Sequence, residues 1–186
     1  MTLTPQLATP STAVIVTGGA SGIGLASARA LAAVGRPVAL WDINAEAAGT
    51  QAALIREQFG TATLGVAIDL TDLGAYAAAI DASRAALGPV GGLVHAAGIV
   101  DTASLDGITA ESWAAGIDTH LRPLAMLVRD LRADFAANPG SAVVAIASIN
   151  ATLGNAMNPI YSAAKGGMLS LVRSLADRLA RDGVRS

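Results

Sequence analysis

Cysteine is absent from the 186 residues, which removes disulfides, thiolate metal sites and thiol nucleophiles together. Histidine is scarce, with two in the chain. A metal site would need carboxylates and both imidazoles, and none is expected. Lys and Arg number 12 against 14 Asp and Glu, a formal charge of −2. No basic surplus exists to neutralise a phosphate backbone, so no nucleic-acid partner is expected. Long apolar runs are missing as well. Ala142-Val143-Val144-Ala145-Ile146-Ala147 falls far short of the roughly 20 residues of a membrane-spanning helix, so no membrane partner is expected either. The opening MTLTPQLATPSTA carries neither the positive start nor the apolar stretch of a secretory signal. It reads as a flexible lead-in over residues 1–12, and a cytoplasmic location is the expectation. Charged residues make up 14% and aromatics 3%, against 53% hydrophobic, a balance that excludes intrinsic disorder.

What is present is a regular alternation. Short β-branched runs at 13–17, 37–42, 64–69, 93–96 and 142–147 read as strands. Alanine-rich amphipathic stretches follow each of them, at 23–34, 46–59, 72–87, 111–136 and 159–181, and glycine or proline closes each one. Strands apolar on both faces belong to a parallel sheet covered by helices on both sides. The expected fold is a single doubly wound, Rossmann-like α/β domain over residues 13–186.

Thr17-Gly18-Gly19-Ala20-Ser21-Gly22-Ile23-Gly24 joins the first strand to the first helix. A tight glycine turn there lets backbone N–H groups and a helix N-terminus meet a pyrophosphate. Gly18 serves the turn, Gly22 the approach of the ligand, and Gly24 the packing of helix on strand. Asp42 ends the second strand, where an acid can bind adenosine ribose hydroxyls and repel a 2′-phosphate. A plain helix cap or solvated loop acid is the competing reading. No Arg or Lys stands in the glycine turn or just after Asp42, so NAD is expected over NADP. Tyr161 and Lys165, four apart on one helix face, could be an ordinary surface pair. A phenol beside an ammonium is also a serviceable acid/base near neutral pH. Ser148 lies at the carboxyl end of the fifth strand, where open α/β sheets bind ligands.

Taken in order, TGGASGIG, Asp69-Leu70, His95-Ala96-Ala97-Gly98, Ser148 and Tyr161-Ser-Ala-Ala-Lys165 resemble the short-chain dehydrogenase/reductase family from about Thr12 to Gly183. The resemblance implies hydride transfer between NAD(H) and an alcohol or ketone. It implies that Gly18, Ser21, Gly22, Ile23 and Gly24 cradle the dinucleotide and that Asp42 holds its ribose. Asp69 and Leu70 would flank the adenine, and the Ala97-Gly98 turn would support the sheet beside the cofactor. Ser148 would polarise the carbonyl, Tyr161 would carry the proton, and Lys165 would hold the nicotinamide ribose. It further implies a homodimer or homotetramer paired through helices 111–136 and 159–181, which are rich in Ala and Leu.

Two departures stand out. His95 and Ala96 replace a usual pair of Asn, and His120 replaces a helix-kinking Asn whose backbone carbonyl serves a proton relay. The carbonyl survives the change, whereas the kink does not follow from it. A non-catalytic nucleotide-binding or scaffold protein on the same fold is the rival reading, and a flavin or methyl-donor binder a third. His95 is expected as a packed strand-end residue, and Trp41 and Trp113 as core or interface aromatics. Asn155 and Met157 are candidates to line the substrate space. Gly183-Val184-Arg185-Ser186 resembles the opening of a sixth strand. The expectation is that the working protein continues beyond it and that residues 1–186 alone turn over little.

Overall fold

The computed structural model describes residues 11–186, so the expected lead-in falls, save for Ser11 and Thr12, outside the described residues. Strands β1 (Ala13–Thr17), β2 (Val38–Asp42), β3 (Thr63–Ala67), β4 (Val90–His95) and β5 (Ala142–Ala145) form one parallel sheet in the order β3-β2-β1-β4-β5. Period-two alternation sends the side chains of each inner strand to opposite layers. Ile15, Trp41 and Leu93 face one core with Leu124, Leu127, Leu131 and Phe135. Val14, Val16, Val38 and Leu40 face the other, with Ala28, Ala32 and Ile55. Both layers are dry at β1, where all five residues are buried.

The helices are α1 (Gly22–Ala33), α2 (Ala45–Phe59), α3 (Tyr76–Leu87), α4 (Ala110–His120), α5 (Arg122–Ala137), α6 (Asn150–Leu153) and α7 (Pro159–Ala180). Asn44 caps α2 by accepting from the Ala47 N–H, and Gly60 ends that helix in the left-handed region. Thr109 and Ser112 close a reciprocal capping box on α4.

Three expectations need correction. The stretch 111–136 is two helices rather than one, interrupted at Leu121 (φ −100°, ψ −49°). Pro123 supplies the cause: it lacks an N–H, and its ring crowds the carbonyl four residues back. The expected strand 142–147 stops at Ala145, because β4 ends at His95 and only the Ile146 N–H still reaches that residue's carbonyl (2.9 Å). Leu73–Ala75 is a 3₁₀ turn capped by Asp72 ahead of α3, rather than the first turn of that helix. Beyond α7, Arg185 forms a parallel bridge with Ala142.

Candidate active site

The carboxyl ends of β1, β2 and β4, with the segment after β3, open onto a cleft of about 520 Å³. The β1–α1 turn lines it with Gly18, Ser21, Gly22, Ile23 and Gly24, β2 with Asp42, the β3 side with Asp69 and Leu70, and the β4 end with Ala97 and Gly98. Gly24 is required by packing, since a Cβ there would fall on the Gly18 carbonyl. Ser21 precedes α1 without capping it, and no acidic residue stands in the first turn of the helix. The unpaired N–H groups of that turn are therefore available to an anion, which fits a pyrophosphate. Asp42 is held at the cleft by two backbone donors, the Ala20 N–H to Oδ2 and the Asn44 N–H to Oδ1, both at 3.0 Å. Among the described residues no Lys or Arg lines the cleft. Asp69 stands exposed, and the Thr71 N–H and hydroxyl (2.8 Å each) hold its carboxyl below the usual range.

The second group gathers beyond β5. Lys165, on α7, is buried (3% exposed) and donates from Nζ to the Ile146 carbonyl at 2.6 Å. Burial lowers its pKa to about 8. Ser148 follows Ile146 by two residues, and its Oγ accepts from the Asn150 N–H at 3.2 Å, at the start of α6. Tyr161 lies one helical turn before Lys165, with Nζ 5.6 Å from the centre of its ring. Asn155 and Met157 are exposed on the loop before α7, and the Asn155 side chain accepts from the Met157 N–H (2.9 Å).

The two histidines interlock between these groups. A carbonyl can only accept, so the 2.9 Å contact to the His120 oxygen puts the His95 proton on Nε2. His95 Nδ1 then accepts from the Thr17 hydroxyl (2.9 Å), whose oxygen in turn accepts from the Ala96 and Ala97 N–H groups. Burial drives the His95 pKa down to about 4, so it stays neutral. His120 is also buried, and its Nε2 donates to the Ile99 carbonyl at 2.6 Å. Nδ1 is buried without a partner, and burial lowers the pKa of this imidazole too. The His120 ring stands edge-on to Tyr161, with centres 5.4 Å apart, and a Cβ on Gly98 would strike it. His120 and Ile99 thus join the cleft to Tyr161.

Sequence reasoning missed Asp101, whose carboxylate accepts from the Tyr161 N–H (2.8 Å) and the Ile160 N–H (3.3 Å). An acid 60 positions ahead of the residue it holds leaves no local signal. It also missed α6, and it left His95 without a bonding role. Trp41 is core, its indole N–H donating to Ser83 Oγ (3.0 Å), whereas Trp113 is 46% exposed on α4. Among the described residues no helix is long and apolar enough to cross a membrane, and no cluster of His, Asp or Glu is placed to hold a metal.

Comparison with known proteins agrees with this geometry. A 2-dehydro-3-deoxy-L-rhamnonate dehydrogenase (NAD(+)) of Sphingomonas sp. is 39% identical over 172 residues, covering 91% of this chain and 67% of its own length. A probable galactose dehydrogenase of Rhizobium meliloti is 36% identical, covering 92% of this chain and 67% of its own. The crystal structure of L-sorbose reductase from Gluconobacter frateurii, complexed with NADPH and L-sorbose, superposes with a TM-score of 0.89 at 28% identity. It covers 94% of this chain and 66% of that one. The chain thus spans about two thirds of the length of these relatives. The family model described as short chain dehydrogenase matches residues 12–186, and the chain belongs to that family.

Proposed function

We propose that this chain transfers a hydride between NAD(H) and a small alcohol or ketone, with Tyr161 as the group that gives or takes the proton. One observation carries the reading. The anion-ready turn and Asp42 form one cleft, and His120 and Ile99 connect it directly to Tyr161 and its neighbour Lys165. A bound nicotinamide would supply the hydride chemistry. The protein's part is to bind, orient and move a proton. The N-terminal turn of α1 would hold the pyrophosphate, and Asp42 the adenosine ribose hydroxyls. Asp69 and Leu70 would flank the adenine, and Ala97 and Gly98 would pass close to the cofactor. The Ser148 hydroxyl would donate to the substrate oxygen as negative charge develops there. Lys165, fixed on the Ile146 carbonyl, would hold the nicotinamide ribose beside Tyr161. The His120 carbonyl would serve the proton path, while its imidazole packs.

NAD is favoured over NADP because Asp42 is anchored by two N–H groups and cannot swing aside. A 2′-phosphate beside it would meet a carboxylate and no cation. The galactose and 2-dehydro-3-deoxy-L-rhamnonate dehydrogenases among the relatives make hydroxylated substrates the first to try. Pairing of copies through α4, α5 and α7 belongs to the same reading and is checked by sedimentation. The decisive experiment titrates NADH and NADPH by fluorescence and then follows reduced-cofactor oxidation across a panel of ketones and ketoses. Tighter NADH binding is expected, and turnover with at least one ketone is expected of the protein as it occurs rather than of residues 1–186 alone. Equal or tighter NADPH binding overturns the role of Asp42, and turnover with no substrate overturns the enzymatic reading.

A further inference from the structure

We propose that Asp101 is a positioning residue for Tyr161: the loop after β4 delivers its carboxylate to the N-terminal turn of α7 and thereby sets where the phenol stands. The proposal rests on the hydride-transfer reading above for its consequence, but not for its geometry. A helix begins with backbone N–H groups that have no partner within it. On α7 the first residue, Pro159, has no N–H to satisfy, and Asn158, in the cap position, makes no side-chain cap. The Asn158 carboxamide instead accepts from Asn150 Nδ2 at 2.9 Å. That leaves the N–H groups of Ile160 and Tyr161, and Asp101 takes both, through Oδ2 at 3.3 Å and Oδ1 at 2.8 Å. A carboxylate there is favoured twice, by charge-assisted hydrogen bonds and by the positive end of the helix. The proton-carrying residue is therefore held by its own backbone N–H from another part of the chain.

The same loop grips a second time. Ser104 donates from Oγ to the Ala156 carbonyl at 2.8 Å and from its N–H to the Met157 carbonyl at 3.3 Å. Ser104 makes these contacts at φ 56°, the one positive φ outside glycine among the described residues. Backbone strain of this kind persists where the surroundings over-determine it. Two grips, at 156–157 and at 160–161, fix the approach to α7 as well as its first turn. The position of the Tyr161 ring against His120 follows from both.

The test compares Asp101→Ala and Asp101→Asn with the parent, each also in a Tyr161→Phe background, using the protein as it occurs. Misplacing a proton donor by a fraction of its working geometry lowers kcat by about tenfold to a hundredfold, and that loss is expected for Asp101→Ala with cofactor affinity unchanged. Asp101→Asn keeps one accepting oxygen and recovers part of the rate. Because Asp101 acts through the phenol, Asp101→Ala leaves the residual rate of Tyr161→Phe within about twofold. A readout independent of turnover runs beside these. Amide exchange at Ile160 and Tyr161 accelerates in Asp101→Ala, and the Tyr161 ring carbon signal shifts or broadens while that of Tyr76, the other tyrosine, stays put. A kcat equal to the parent's, an equal loss in both backgrounds, or unaltered amides and ring signal overturns the proposal. A parent without turnover defeats the hydride-transfer reading alone, and the exchange and ring signals still decide the positioning. Should Asp101→Ala fail to fold, the isosteric Asn variant carries the same comparison.

Discussion

The two buried histidines make stability fall as pH drops below about 6.5. His95 is fully buried, and burial pushes its pKa from 6.5 down to about 4. Unfolding returns the imidazole to its ordinary value. Between pH 6.5 and about 4 the unfolded chain therefore takes up a proton that the folded chain refuses, and stability is lost as pH falls. Worked from those two values, the loss from His95 is about 0.8 kcal/mol at pH 6 and about 2 kcal/mol at pH 5. His120 is shifted in the same direction by the same cause and adds to it. No other histidine exists, and Asp69 and Glu111, whose carboxyls are held low, act only at more acidic pH.

Guanidinium unfolding read by the buried Trp41, at pH 7, 6 and 5, measures the loss. His95→Asn should remove most of the slope, since an amide of similar reach can still meet Thr17 and does not titrate. A parent whose stability is flat from pH 7 to 5, or a His95→Asn variant with the same slope, refutes the reasoning.

Tyr161→Phe removes one hydroxyl and should lower kcat by about 10²–10⁴-fold, with cofactor affinity held in a fluorescence titration. Lys165→Met should abolish turnover yet raise stability at pH 7 by roughly 1–2 kcal/mol, because relieving a buried ammonium outweighs the lost contact with the Ile146 carbonyl. Thermal unfolding checks this, and the gain should shrink as pH rises from about 8, where the folded parent sheds its own charge. Gly24→Ala drives a methyl into the Gly18 carbonyl and should destabilise the fold by about 1–3 kcal/mol while weakening cofactor binding, both read by unfolding and titration.

The strands were legible because both their faces are dry: a run such as Ala13-Val14-Ile15-Val16-Thr17 has no other use in a chain of this size. The glycine turn was legible because its spacing sits between a strand and a helix. Boundaries blurred where a neighbour decides them. Ala142–Ala147 is apolar throughout, but the strand ends where β4 stops pairing with it. The break at Leu121 was hidden because its agent is not residue 120 but a proline three residues on. The β4-loop grip on α7 was invisible for a different reason. Asp101 and Ser104 act on residues more than fifty positions away, and neither belongs to a local pattern.

That break bears on how a histidine can stand at position 120. If the side chain at 120 made the kink, replacing Asn by His would threaten the backbone carbonyl on which the proposed proton path depends. Here Pro123, which has no N–H for the Thr119 carbonyl and crowds it, opens the helix on the far side of Leu121, and the next carbonyl, that of residue 120, meets His95 whatever side chain residue 120 bears. A displaced carbonyl still needs a partner, and it finds one in His95, whose ring is long enough to reach from the Thr17 hydroxyl on β1 to the break. The imidazole of His120, freed from any duty at the carbonyl, turns onto Ile99 and packs its edge against Tyr161. It can do so only because residue 98 is glycine. The two replacements are therefore one arrangement: His95 secures the carbonyl of residue 120 beside the break that Pro123 opens, and His120 fills the space beside the phenol.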